Sequence, residues 1–209
     1  MSKEWLTKRR RDFYYRKAKE ENYRSRAAYK LMQAVKKYGF IKPGDVVVDL
    51  GSAPGGWLQA ARQIVGEKGF VLGIDIREIK PLEYENVYTI IGDVRDPDII
   101  GRIKAILPRP ADVVISDISP NISGIWELDH ARQIELAEFS LHIALSILKA
   151  GGNFFTKVFQ GELLNQFLDN VKIYFSQVRV MKPEASRKES AEIYVLGANY
   201  RSQAKREVN

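Results

Sequence analysis

Short runs of β-branched and aromatic residues recur along this 209-residue chain, and most are followed by a longer segment with helical spacing of apolar residues. The first five runs are apolar without interruption, which is typical of strands that helices cover on both faces. Strands and helices in alternation predict a parallel sheet between two layers of helices. The predicted strands are 45–50, 70–75, 87–91, 112–116, 153–159, 174–181 and 191–198.

The connection between the last two predicted strands, MKPEASRKES, is a loop with no room for a helix. We therefore expect these two strands to pair as an antiparallel hairpin. The sequence thus predicts a doubly wound, Rossmann-like α/β fold with a mixed, mostly parallel seven-stranded sheet and an antiparallel edge strand. The helix before the fifth strand should end at Gly151 and Gly152. The predicted helices are 24–38, 55–66, 96–107, 129–149 and 161–170.

The first predicted strand runs directly into a glycine-rich loop, VVVDLGSAPGGW at residues 46–57. In doubly wound sheets, ligands bind beyond the carboxyl ends of the strands, and glycines let a ligand lie against bare backbone. The next helix offers free N–H groups to a polar ligand. The loop is neither a G-x-G-x-x-G motif nor a P-loop, which disfavours a dinucleotide and excludes a P-loop nucleotide site. Its candidate cofactor-binding residues are Gly51, Ser52, Gly55, Gly56 and Trp57.

Acidic residues end three consecutive predicted strands at the same edge of the sheet: Asp75, Asp93 and Asp117. An acid about 20 residues past the glycine loop, as Asp75 is, suits the ribose hydroxyls of an adenosine. Asp93 is placed to receive the adenine amino group. Three acids suit a cationic nucleoside, so S-adenosylmethionine fits this rim better than a phosphorylated nucleotide. Taken singly, each acid is equally typical of a helix N-cap or a turn.

One lysine, Lys157, interrupts the apolar strand NFFTKVF. Burying a lysine is costly unless it has a partner, so we expect Lys157 to have a function.

The positive charge of the chain lies in its first 30 residues. The net charge is +7, and residues 1–30 hold eleven Lys/Arg against four Asp/Glu, so the remainder is neutral. Aromatics among these charges suit a nucleic acid, because they stack on unpaired bases while Lys and Arg meet phosphates. A solvated tail whose aromatics pack on the body would have the same composition. The aromatics are Trp5, Phe13, Tyr14, Tyr15 and Tyr23.

We predict a basic, aromatic-rich arm over residues 1–21, one domain over 22–200 and a polar tail over 201–209. Four further basic residues either extend the surface that would bind nucleic acid or are solvated charges on loops. The polar loop after Asp117 is expected to close over the site or to touch RNA. The four basic residues are Arg24, Arg26, Arg187 and Lys188, and the loop contains Asn121, Ser123 and Gly124.

Several classes of site are excluded or disfavoured by composition. The chain has no cysteine, which excludes disulfides, thiol nucleophiles and cysteine-bound zinc. His130 and His142 lack a third ligand at useful spacing, so we expect no metal. No apolar stretch is long enough to span a membrane, and the N-terminus lacks the apolar core of a secretory signal. We expect a cytoplasmic, monomeric protein.

Seven motifs follow in order: RSRAAYKL (24–31), VVDLGSAPGGW (47–57), GIDI (73–76), GDV (92–94), VVISDISPNISG (113–124), FTKVFQG (155–161) and KPEASRKESAEIYVLG (182–197). Together they resemble the FtsJ/RrmJ family of ribosomal RNA large-subunit methyltransferases, over about residues 22–198. The resemblance implies the S-adenosylmethionine-dependent methyltransferase version of the fold. It also implies methyl transfer from S-adenosylmethionine to a ribose 2′-OH, in the bacterial type that of a uridine in 23S ribosomal RNA.

The same resemblance implies the residues that act. Lys157 would take the hydroxyl proton as a neutral amine, or orient the hydroxyl and stabilise negative charge on its oxygen. The sequence leaves both roles open. Ser52 stands where many members have alanine, a change we expect to be tolerated. The implied catalytic set is Lys30, Asp117, Lys157 and Glu192, and the implied cofactor contacts are Gly55, Trp57, Asp75, Asp93 and Asp117.

The expected partner is ribosomal RNA, either free or within the large ribosomal subunit. A transfer RNA or an mRNA cap is the alternative substrate with the same chemistry. A small-molecule methyltransferase would leave the basic arm unexplained. A catalytically inactive RNA-binding module would be expected to have lost Lys157 or the glycine loop, and both are present. A nicotinamide dehydrogenase is disfavoured because the G-x-G-x-x-G motif is missing.

Overall fold

The computed structural model describes residues 12–187 and 189–202. The predictions for Trp5, for Lys188 and for the tail beyond residue 202 lie outside these described residues. The strands are β1 (Val46–Leu50), β2 (Phe70–Asp75), β3 (Val87–Ile91), β4 (Ala111–Ser116), β5 (Leu148–Phe159), β6 (Phe175–Met181) and β7 (Glu192–Tyr200).

The strands form one mixed sheet in the order β3-β2-β1-β4-β5-β7-β6. Strands β1 to β5 pair in parallel, while β7 is antiparallel to both β5 and β6. This confirms the predicted α/β class and the hairpin of the last two strands. The second strand of that hairpin, β7, lies inside the sheet, next to β5.

Helices cover both faces of β1, β2, β4 and the second half of β5, as their apolar runs predicted. The same prediction is wrong for β3, which lies at the edge of the sheet and is partly exposed. In β5, Phe155 belongs to one hydrophobic cluster, with Leu31, whereas Phe154 and Val158 belong to the other, with Leu141. Alternate residues of a strand point to opposite faces, so one strand contributes to both hydrophobic cores. The helices are α1 (Phe13–Glu20), α2 (Ala27–Tyr38), α3 (Gly56–Val65), α4 (Ile99–Ile106), α5 (Trp126–Ile147) and α6 (Leu164–Tyr174).

The first helix lies where the sequence pattern predicted none. Its N-cap Asp12 accepts the Tyr15 N–H at 3.1 Å. Tyr14 packs against Tyr29 with ring centroids 5.5 Å apart, and it accepts a hydrogen bond from Gln33 of α2 at 2.9 Å. This part of the predicted arm therefore packs on the body.

The expected end of α5 at the two glycines is wrong. The helix ends at Ile147, and β5 begins with the next residue. Leu148 pairs with Ala111 of β4, so strand pairing starts before the glycines. A Cβ on Gly152 would lie 3.0 Å from the Asp112 carbonyl oxygen. A glycine is therefore suited to this position because the backbone of β4 comes close to it.

No helix within the described ranges 12–187 and 189–202 is long and apolar enough to cross a membrane. Those ranges also contain no group of three His, Asp or Glu side chains that could hold a metal ion.

Candidate active site

The winding of the sheet reverses between β1 and β4, and the loops that follow these strands lie side by side. The Asp117 N–H donates to the Leu50 carbonyl oxygen at 3.3 Å. A cavity of about 740 Å³ opens beside them, lined by Gly51, Asp75, Asp93 and Asp117 among others. The three predicted acids therefore share one cavity at the carboxyl edge of the sheet.

The glycines of the loop after β1 make room mainly for protein atoms. Gly51 has a φ of +76°, and a Cβ there would overlap Ile118 of the neighbouring loop. A Cβ on Gly55 would lie 3.0 Å from the Arg24 guanidinium, and one on Gly56 would overlap the Ser25 hydroxyl. Of these glycines, only Gly51 lines the cavity.

The side chains of Trp57 and Ser52 also point away from the cavity. Trp57 is buried, donates from Nε1 to the Ala27 carbonyl at 2.7 Å and stacks on Phe155. The Ser52 hydroxyl is buried without a hydrogen-bond partner. Neither residue lines the cavity, so the structure gives them a supporting position in the loop.

Two of the cavity acids each bind an arginine two residues further along the chain. Asp75 accepts the Ala53 N–H and the Arg77 N–H, both at 2.9 Å. Arg95 makes two-pronged contacts with Asp93, the shortest at 2.6 Å, and these lower the pKa of that carboxyl. Both arginines line the cavity. The sequence predictions did not include these arginines, although the repeated Asp-x-Arg spacing could have indicated both.

The four residues of the implied catalytic set meet in one buried cluster. Lys157 Nζ donates to the Asp117 carbonyl at 2.8 Å and lies 3.2 Å from Asp117 Oδ1. Glu192 Oε1 is 3.7 Å from the same nitrogen. Both oxygens of Glu192 accept from Lys30 Nζ at 3.2 Å. Lys157 is 3% exposed and Lys30 7%, so the cost of burying each lysine is offset by carboxylates.

Tyr194 is a member of this cluster that the sequence motifs did not indicate. Its hydroxyl donates to Asp117 Oδ1 at 2.7 Å, and Lys30 Nζ lies 5.6 Å from its ring centroid. Burial, with the nearby Asp117 and Glu192, raises the pKa of Tyr194 well above its ordinary value, so the hydroxyl keeps its proton. The available signal was its position two residues after Glu192 on the same strand face.

Asp117 is ionised despite its surroundings. Burial acts to raise the pKa of Asp117, but Lys157, Lys30 and the hydrogen bonds from Tyr194 and Lys157 outweigh it, and the pKa lies below its ordinary value. The cluster therefore brings two lysines and two acidic residues together, and of these four Asp117 lines the cavity.

A fourth aspartate lies under the loop. Asp49 of β1 is fully buried, and neither of its carboxylate oxygens has a hydrogen-bond partner. Burial, together with Asp117 and Asp75, raises the pKa of Asp49 well above its ordinary value. An acid inside an apolar strand was as visible in the sequence as Lys157, but it was not singled out.

Two arginines predicted for an RNA surface are engaged within the protein instead. Arg24 donates to the carbonyls of Pro54, Lys80 and Pro81. Arg26 pairs with Asp12 and donates to a backbone carbonyl. Arg187 is exposed, and its contribution to an RNA-binding surface stays a prediction.

The polar loop after Asp117 is held at its far end by Asp129 of α5. The Asp129 carboxylate accepts the Ser123 N–H at 2.8 Å, the Ser123 hydroxyl at 2.7 Å and the Gly124 N–H at 3.1 Å. Asn121, in the middle of the loop, lines the cavity.

Known proteins resemble this chain over most of its length. A family model described as FtsJ-like methyltransferase matches residues 23–200. A "Ribosomal RNA large subunit methyltransferase E" of Methanocaldococcus jannaschii is 53% identical over 201 residues, covering 95% of this chain and 82% of the relative. The same name is carried by a Methanothrix thermoacetophila protein, 53% identical over 92% of this chain and 74% of its own length.

A crystal structure is also similar. It is that of a Plasmodium falciparum protein provisionally named a ribosomal RNA methyltransferase. The two structures have a TM-score of 0.75 and 29% sequence identity, over 85% of this chain and 98% of the other.

Proposed function

The chain belongs to the FtsJ-like methyltransferase family, and on this basis we propose that it methylates a ribose 2′-OH of large-subunit ribosomal RNA with S-adenosylmethionine as donor. Family membership confirms the resemblance of the ordered motifs and makes the chain a methyltransferase. The ribosomal RNA substrate is supported by relatives that share about half of their residues with this chain and carry that substrate in their names.

One observation carries the proposal: the Asp117 carboxylate belongs both to the cavity wall and to the buried lysine cluster. It lines the cavity, and its Oδ1 lies 3.2 Å from Lys157 Nζ. The donor site and the lysine that would hold the acceptor hydroxyl thus share one residue. Methyl transfer is an in-line displacement, and its rate depends on such alignment.

The cavity suits S-adenosylmethionine in size and in the hydrogen-bond acceptors that line it. Its volume of about 740 Å³ is that of a small-molecule site. Asp75 would bind the ribose hydroxyls, Asp93 the adenine amino group, and Asp117 would face the cationic part. Gly51 would leave backbone open to the donor, while Ser52, Gly55, Gly56 and Trp57 shape the loop from behind. Bound S-adenosylmethionine supplies a methyl group that its sulfonium charge already activates.

The protein contributes alignment and charge. Lys157 donates a hydrogen bond to the ribose oxygen and stabilises the negative charge that develops there, while the hydroxyl proton passes to solvent water and the methyl group moves from sulfur to oxygen. Asp117 and Glu192 fix the lysine from two sides, and Lys30 fixes Glu192. Tyr194 fixes Asp117 through its hydroxyl.

The test is methyl transfer to RNA from cells that lack the protein. Purified protein, labelled S-adenosylmethionine and large ribosomal subunits or total RNA are combined, and methylated riboses are mapped. We expect label at one ribose of large-subunit RNA. Lys157→Met, which keeps the length but not the charge, should lower the rate about 100- to 1,000-fold with unchanged affinity for S-adenosylmethionine.

Two further variants sharpen the result. Lys157→Arg keeps a cation and should retain part of the rate. If Lys157 acted only as a neutral base, this variant would lose all activity, because arginine does not give up its proton. Lys104→Met, at an exposed position of α4, is the control. Label in transfer RNA or capped message would contradict the proposed substrate, and absent binding of S-adenosylmethionine would contradict the donor.

A further inference from the structure

A patch of exposed apolar side chains lies around the start of α5. Ile122 and Ile125 are 65% and 59% exposed, and Trp126 is 45% exposed. Leu128 and Leu163 are also exposed. We call these five residues the rim patch. Single exposed apolar residues are ordinary, but a group of five large ones marks a contact surface.

The rim patch is held in place by the residues beneath it. Asp129 fixes the loop that carries Ile122 and Ile125 through three hydrogen bonds. The Trp126 ring stacks against His130 (centroids 5.7 Å apart) and against Phe159 (6.0 Å). His130 Nε2 in turn accepts the Leu163 N–H at 3.1 Å. The indole is thus anchored although almost half of it faces solvent.

The rim patch lies on segments next to those that carry the lysine cluster. Its loop starts at Asp117, and Phe159, against which Trp126 packs, follows Lys157 by two residues on β5. Phe159 also pairs with Glu192 across the β5–β7 ladder. Trp126 therefore contacts the strand that carries Lys157, at a residue two positions further along.

The burial of the cluster determines the form in which RNA can enter. Lys157 and Lys30 are less than a tenth exposed, so the ribose has to move into a recess. A nucleotide stacked within a helix cannot do so, and enzymes whose target atom lies in a recess take the nucleotide out of the stack. The base next to it then loses a stacking partner.

We propose that Trp126 is a stacking platform for an unpaired base next to the target ribose; this inference rests on the proposed function. Trp126 replaces the stacking partner that the neighbouring base has lost. Glu127 and Glu162 flank the platform and repel phosphates, so the ring receives the apolar face of a base rather than the RNA backbone. Base–aromatic stacking tolerates any base, so the platform adds affinity and position rather than sequence choice.

The experiment compares the full-length wild type with Trp126→Ala and Trp126→Phe. Binding is measured on a labelled single-stranded RNA and on a duplex of the same sequence, and methyl transfer is measured on undermethylated large ribosomal subunits. Trp126→Ala should weaken single-strand binding about 5- to 100-fold and raise the KM for the subunits. It should leave duplex binding and the Kd for S-adenosylmethionine unchanged. Trp126→Phe should restore most of the loss.

Tyr88→Ala is the matched control, because Tyr88 is 48% exposed and also stacks on one aromatic neighbour, but lies on edge strand β3. Equal single-strand binding by Trp126→Ala and the wild type would overturn the inference. So would a wild-type dimer that Trp126→Ala dissociates, because a second copy would then cover the patch. A wild type that methylates no ribosomal RNA, but loses single-strand binding with Trp126→Ala, would refute the proposed function and keep the platform.

Discussion

At the residue scale, two buried aspartates on neighbouring strands have pKa values that are shifted in opposite directions. Asp49 of β1 has no partner, and its pKa is raised chiefly by burial. Asp112 of β4 is also buried, but it accepts the Val46 N–H at 2.7 Å and pairs with Arg109 and Lys149. These contacts outweigh burial and lower the pKa of Asp112.

Because the pKa of Asp49 is raised, the free energy of unfolding of the wild type should decrease as the pH rises. The folded protein keeps a proton there that the unfolded chain releases near pH 4, so the free energy of unfolding falls from that pH up to the raised pKa. Each unit of the shift amounts to about 1.4 kcal/mol. Asp49→Asn should therefore gain stability relative to the wild type between pH 4 and 8, as measured by urea unfolding without ligand.

Asp112→Asn is the matched comparison, with the opposite sign. A lowered pKa gives stability that is present above pH 4 and lost as the pH falls through the folded value. The variant should be less stable than the wild type by about 1–3 kcal/mol at pH 7, with a smaller difference below pH 4. The same direction of pH dependence for both variants would contradict these assignments.

At the element scale, the segment before α2 is fastened to the start of α3. Ser25 packs against Gly56, and Arg24 donates to the Pro54 carbonyl inside the glycine loop and to the Pro81 carbonyl in the segment after β2. The Arg24 N–H donates to the Gln59 side chain at 2.7 Å. The helix that carries Lys30 and the loop that borders the cavity are therefore one packed unit.

Gly56→Ala should separate these two elements. The new methyl group would overlap the Ser25 hydroxyl, and such overpacking costs about 1–3 kcal/mol. We expect a lower melting temperature and weaker binding of S-adenosylmethionine, both partly restored by adding Ser25→Gly. Gly101→Ala on α4, where a methyl group meets open space, should instead stabilise by about 0.5–1 kcal/mol. No rescue by Ser25→Gly would show that the contact with Ser25 is not the cause.

At the scale of the whole molecule, the net positive charge belongs to the N-terminal part of the sequence, and the rest of the chain is formally neutral. Residues 1–30 carry the entire net charge of +7. Arg24 and Arg26 make internal contacts, so RNA binding falls to the remaining basic residues. We propose that the arm binds phosphates without regard to sequence, since charge alone carries no base readout.

Replacing Arg9, Arg10 and Arg11 by glutamine should lower RNA affinity chiefly at low salt. Three lost phosphate contacts should reduce the slope of log affinity against log salt by about 2 for single strands. Gel-shift titrations between about 50 and 300 mM salt would measure this. The control replaces the exposed Lys42, Lys68 and Lys104 by glutamine, with equal loss of charge. An equal change of slope in both variants would show that total charge acts, not the arm.

The sequence by itself determined the sheet and the need for a lysine partner. Apolar runs predicted strands buried on both faces, which is wrong only for the edge strand β3 among the first five. Six of the seven observed strands begin within a residue of the prediction. Lys157 was expected to have a function because burying a charge without a partner is too costly. The ordered motifs then indicated Asp117, Glu192 and Lys30. These inferences depend on local pattern and on the chemistry of single residues, which a sequence displays directly.

Only the tertiary structure decided which distant segments meet. Arg26 reaches a carbonyl 159 residues away, and Tyr194 reaches Asp117 across 77 residues. Strand pairing of Leu148 with Ala111 overrode the glycine signal at the end of α5. Neighbours far apart in the chain are set by packing, and packing depends on every element at once. For the same reason, the sequence did not indicate that Trp126 packs against Phe159 of β5, the strand that carries Lys157.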